Sequence, residues 1–245
     1  MQRLIFALVF AVSLALAPHA SAGQDDFEQC RQVFAHGEPP HIQKQAAQKL
    51  RALCFSAFAV LHSGQSRTPV YVAERLNRQT LQAAHEKRKD KFFADARLPR
   101  AERAELDDYK GSGYDRGHMA PAADMTTPES MAQSFSLANM VPQAPENNRK
   151  VWAKIEKSTR KYVMRAQGDV YVISGPAFTA TPPTIGGNHV WVPRHLFKLV
   201  YDPSANKAWA HWIDNQDTAK AGQPISYQEL VKRTGISFLP NYRGS

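Results

Sequence analysis

The sequence predicts one α+β domain, a mostly antiparallel sheet with helices packed against it. Alternating or continuous apolar stretches at 68–76, 169–175, 196–201 and 207–213 read as strands. Between the last two lies Asp202-Pro203-Ser204-Ala205-Asn206, a short turn-forming link that pairs them antiparallel. No internal repeat or low-complexity linker divides the chain, and roughly 220 residues after a leader suit a single domain.

At the N-terminus, Arg3 precedes an apolar run over 4–17, and Ala20-Ser21-Ala22 follows. A charged start, a short apolar core and an A-x-A site read as a signal peptide over 1–22. The run is shorter than the ~20 apolar residues of a spanning helix, so no stable membrane association is expected after cleavage. The expected location is periplasmic or secreted. Residues 23–60 read as an N-terminal helical extension, because 43–53 is rich in Ala, Gln, Lys and Leu. The only cysteines, Cys30 and Cys54, are an even count in an exported chain and predict a disulfide.

The main domain is expected over 55–245. Its apolar start at 54–61 forms a hairpin with 68–76 across Ser63-Gly64-Gln65-Ser66. The region 79–109 is strongly charged, and its basic run at 85–91 reads as a solvated loop or a phosphate-facing rim. Residues 111–148 are loop-like, yet their Met, Phe and Leu content marks them as ordered and functional. The stretch 148–165 reads as a helix of about four turns. Residues 190–193 supply further strand.

Lys and Arg number 31 against 22 Asp and Glu, a net charge of +9. Such a chain suits nucleic acid, anionic lipid or a cell wall, and charge alone does not choose among them. No CxxC and no Cys/His cluster suggests a zinc site.

Chemistry concentrates in Asp115-Arg116-Gly117-His118. An imidazole titrates near neutrality and can take a proton from water. A guanidinium matches phosphate oxygens with a planar fork. Both flank Gly117, read as a bend that the backbone can enter closely. A second group follows: Asn139-Met140-Val141-Pro142-Gln143, then Asn147, Asn148, Trp152, Glu156 and Arg160. Positions 148, 152, 156 and 160 advance ~40° per step on an α-helix, so they share one face. A side-chain amide is a hard ligand suited to Mg²⁺, which keeps most of its waters. Glu156 could hold one of those waters.

This combination resembles the DNA/RNA non-specific endonuclease family. The motif-bearing part covers about 115–160, with weaker similarity from about 55 to 215. The resemblance implies a six-stranded sheet flanked by helices and a ββα-metal finger as active site. It further implies cleavage of DNA and RNA with little sequence preference, with Mg²⁺ as cofactor and Mn²⁺ as a substitute. His118 resembles the general base and Asn148 the lone direct metal ligand, because endonuclease G-like members place that ligand four residues before the tryptophan. Asn147 stays as the alternative. Glu156 resembles the acid that binds metal waters, and Arg116 and Arg160 the phosphate-contacting arginines. Arg75 resembles a further phosphate-binding arginine and Asn139 a site-supporting asparagine, both on the substrate side. Several family members dimerise, which leaves a homodimer open.

Overall fold

The computed structural model describes residues 24–42, 49–84 and 86–244. The expected signal peptide over 1–22 lies outside them. A central sheet of seven strands runs in the spatial order Ile225–Ser226, Lys207–Asp214, His195–Asp202, Val170–Ala177, Thr68–Leu76, Phe58–Ser63, Leu50–Cys54. All its neighbours pair antiparallel. The α+β reading therefore holds, with one strand more than the six implied.

The additional edge strand corrects the reading of the N-terminal region. Within the predicted helix over 43–53, residues 43–48 lie outside the described residues, and Leu50–Cys54 is a strand paired to Phe58–Ser63. Local composition favoured a helix. The tight return at Phe55, whose N–H donates to Phe58 O at 2.9 Å, lets this segment extend the sheet instead. The predicted disulfide is present between Cys30 and Cys54, and it ties the 3₁₀ segment Gln24–Val33 to this edge. The described part of this region, from Phe27 to Phe34 and from Leu50 onward, thus packs with the sheet rather than standing apart as a helical extension.

Strand alternation sorts side chains onto two faces. One face carries Ala59, Leu61, Tyr71, Ala73, Ile173, Phe197 and Leu199, covered by Phe27, Phe34, Leu230 and Phe238. Leu230 belongs to the helix Tyr227–Thr234, capped by Ser226 at its start and by left-handed Gly235 at its end. The other face carries Phe58, Val60, Val72 and Leu196 under Met119, Phe135, Trp152 and Ile155.

On that second face lies a two-stranded finger, Asp115–His118 antiparallel to Met140–Gln143. A π-helical turn over Asn147–Trp152 follows and continues as the α-helix Ala153–Val163. The predicted helix is thus present, but its first turn is widened. Strand, strand and helix form the expected ββα finger. Among the described residues, no helix is long and apolar enough to cross a membrane.

Candidate active site

Gly117 sits within a strand, not at a bend. Its Cα faces the side chain of Gln143, and a Cβ there would lie 2.1 Å from Gln143 Oε1 and 2.6 Å from its Cβ. The glycine is required by what fills its space. Gln143 Nε2 in turn donates to Asn147 Oδ1 at 3.1 Å.

His118 ends the first finger strand. Its ring stands edge-on to Phe135, 5.1 Å between centroids, and 5.7 Å from Phe92. It is 8% exposed, and its Nε2 has no hydrogen-bond partner among the described residues. Burial lowers its pKa to about 3, with the nearby Arg88 charge acting in the same direction. A neutral imidazole with an uncommitted nitrogen is the form that accepts a proton. The His118 carbonyl accepts from Trp152 Nε1 at 3.2 Å, which fixes the finger to the helix start.

The two neighbouring asparagines differ sharply. Asn147 is fully buried, its Oδ1 accepting from Gln143 and its Nδ2 donating to Asp214 O at 2.5 Å. Asn148 lines the cavity. Its Nδ2 donates to Asp115 Oδ2 at 3.0 Å, and that bond sets the amide so that Oδ1 is the atom left for a ligand. Asp115 is held in turn by Arg149, through Nη2–Oδ1 at 2.7 Å and Nε–Oδ2 at 2.9 Å. An amide oxygen turned to the cavity, with an acid about two helical turns further on, fits a hydrated Mg²⁺. No group of three His, Cys, Asp or Glu suited to a metal occurs among the described residues. An ion here would therefore keep most of its waters.

Glu156 is that acid. It lines the same cavity, and burial pushes its pKa up to about 7, partly opposed by Lys198. The cavity holds about 840 Å³, and its wall brings together Phe92, Arg116, His118, Asn148, Arg149 and Glu156. Arg116 stacks its guanidinium 4.1 Å from the Phe92 ring centroid, which holds the fork at the rim.

Three expected residues stand elsewhere. Arg160 donates from Nη1 to the buried Asp124 at 2.9 Å and does not line the cavity. Arg75 follows Glu74 on its strand, so it points to the opposite face of the sheet, where it pairs with Asp169 at 3.8 Å. It is not placed to bind substrate in this cavity. Asn139 is fully buried and acts as a strut: Oδ1 accepts from Ala120 N, and Nδ2 donates to Ala120 O and Ser134 O, all at 2.9 Å. It holds the loop after His118 and is out of a substrate's reach. Sequence reasoning missed Arg149 and Phe92. Arg149 is exposed beside Asn148, and a basic residue adjoining the expected ligand was the available signal. Phe92 closes the basic run, where charge drew attention from the aromatic ring.

Comparison with known proteins identifies the family. The profile of the DNA/RNA non-specific endonuclease family matches residues 37–244. The mitochondrial nuclease EXOG of Xenopus laevis is 37% identical over 204 residues, 74% of this chain and 56% of that protein. Its Homo sapiens counterpart is 32% identical over 217 residues, 78% of this chain and 57% of that protein. Human mitochondrial endonuclease G is 33% identical over 203 residues, 76% of this chain and 68% of that protein. The chain thus spans a little over half the length of the EXOG relatives. A crystal structure of the EndoG/EndoGI complex superposes with a TM-score of 0.70 at 25% identity, covering 77% of this chain and 85% of that one. These relatives are named as mitochondrial, which overturns the expected periplasmic or secreted location. By profile, identity and fold together, the chain belongs to the DNA/RNA non-specific endonuclease family.

Proposed function

We propose that the chain is a Mg²⁺-dependent endonuclease that hydrolyses phosphodiester bonds of DNA and RNA with little sequence preference. The observation that carries this reading is the unpartnered, neutral His118 in one cavity with Asn148, Glu156 and Arg116. His118 takes a proton from a water, and that water attacks phosphorus in line. Arg116 presents its fork to the phosphate oxygens as negative charge grows on them. Asn148 would hold the ion directly through Oδ1, and Glu156 would hold its waters. Bound there, Mg²⁺ supplies positive charge beside the phosphate and the leaving oxygen. Arg160 acts through its bond to Asp124, setting the charge behind Glu156. A water nucleophile needs no 2′-hydroxyl, which suits both DNA and RNA. Contacts to the backbone dominate, so binding weakens steeply with salt.

The test is plasmid and ribosomal RNA incubated with Mg²⁺ or with EDTA, beside His118→Ala. The expected result is loss of both substrates with Mg²⁺ only, and a variant slower by on the order of 10³-fold. Intact substrates that still shift on a gel would replace the enzyme reading with a binding module.

A further inference from the structure

Lys198 lies in the middle of the sheet and is 1% exposed. A buried ammonium is expensive unless its donors are used and its charge is met. Its Nζ donates to Ser174 Oγ at 2.6 Å and to Met119 O at 3.4 Å, and it stands 5.0 Å from the Trp152 ring centroid. These partners belong to three separate parts of the molecule: the sheet, the residue directly after His118, and the turn that carries Asn148. Trp152 in turn donates to the His118 carbonyl. Met119 is also held from its other side, its N–H donating to Asn139 O at 3.0 Å.

Negative charge is supplied from the same layer. Glu74 is 1% exposed on Thr68–Leu76, the strand beyond Val170–Ala177, and neither of its carboxyl oxygens has a hydrogen-bond partner among the described residues. Asp124 is taken by Arg160. Glu74, Glu156 and Asp124 all feel the Lys198 charge. Packing does not explain a cation here, because a methionine of similar length would fill the space without the desolvation.

We infer that Lys198 is a positioning residue for the nuclease reaction: a post under the active site that sets the finger bearing His118 against the turn bearing Asn148. The inference rests on the proposed nuclease activity. A shift of about 1 Å between a base and its partners can lower a rate by ~100-fold without loss of binding.

The test uses Lys198→Met in the full chain, with Lys198→Met/Glu74→Gln as a second variant that removes both buried charges should the single one fail to fold. The expected result is kcat lower by roughly 30- to 100-fold, KM within about twofold and an unchanged or raised Tm. An independent readout is hydrogen exchange of the Trp152 indole N–H by NMR, expected to quicken by about tenfold when the post is gone. A folded variant with kcat within threefold of wild type, or a loss that falls on KM, overturns the inference. So does an unchanged Trp152 exchange rate. A wild type that cleaves nothing would sink the nuclease reading, while the exchange rate would still decide whether Lys198 holds the finger.

Discussion

The two faces of the sheet are built on different terms. The core of the face covered by Phe27, Phe34, Leu230 and Phe238 is apolar, with aromatic rings meeting at 5.0–6.5 Å, and its Arg75 stays half-exposed beside Asp169. The face under the finger has apolar walls too, but Glu74, Ser174 and Lys198 are set among them. Burying such groups opposes folding unless every one is paired. The first face supplies stability that the second gives up for the placement of His118, Asn148 and Glu156. Variants on the two faces should therefore fail in different ways.

The largest effect is expected on the apolar face. Phe197→Ala should lower the unfolding free energy by about 4 kcal/mol, read from urea denaturation, with kcat per folded molecule unchanged. A loss of kcat equal to the loss of stability would erase the distinction between the faces. Next is Asp115→Asn. The Asp115–Arg149 pair is exposed on the arginine side and adds little stability itself. Without the carboxylate the Asn148 amide is free to turn. Half-maximal activity should then need ~10- to 100-fold more Mg²⁺, with much of kcat regained at saturation. A shift confined to KM for nucleic acid would give Asp115 a different role.

Acid should act on the polar face as well. His62 is 1% exposed, its Nε2 lies 2.8 Å from Glu102 O, and burial lowers its pKa from 6.5 to about 4. Because the folded value is depressed, its contribution is complete above pH 6.5 and is lost as pH falls towards 4. Between pH 7 and pH 5 the wild type should lose roughly 2 kcal/mol more than His62→Gln in paired urea titrations. Parallel losses in both proteins would locate the acid sensitivity elsewhere. The smallest effect is Arg75→Ala, which should leave KM for plasmid within about twofold, since Arg75 sits on the far face beside Asp169. A tenfold rise would return it to the substrate path.

The parts of this protein that were legible in the sequence carried their own periodicity or chemistry. The strand over 68–76 and the 207–213 strand with its turn needed only alternation and a Pro-Ser-Ala-Asn link. His118, Asn148, Glu156 and Arg116 were found through a pattern whose residues the fold does collect in one cavity. Relations across the sheet were not legible. Arg75 was assigned to the substrate by resemblance, which says nothing of the face it takes, and a shift of one residue reverses that face. Asn139 looked like a contact residue, and only the three bonds around Ala120 and Ser134 identify it as a strut. The strand at Leu50–Cys54 depends on a partner and a disulfide rather than on its own composition.

The widened turn over Asn147–Trp152 makes the distance between the amide and the tryptophan a ruler. Trp152 is moored to the His118 carbonyl and cannot follow a change in length. Deleting one residue between them would let the turn tighten to an ordinary α-helix, and Asn147 rather than Asn148 would then stand four residues before the moored tryptophan. The spacing would be met by a different amide, so which asparagine faces the cavity is set by the length of this turn and not by the residue's identity.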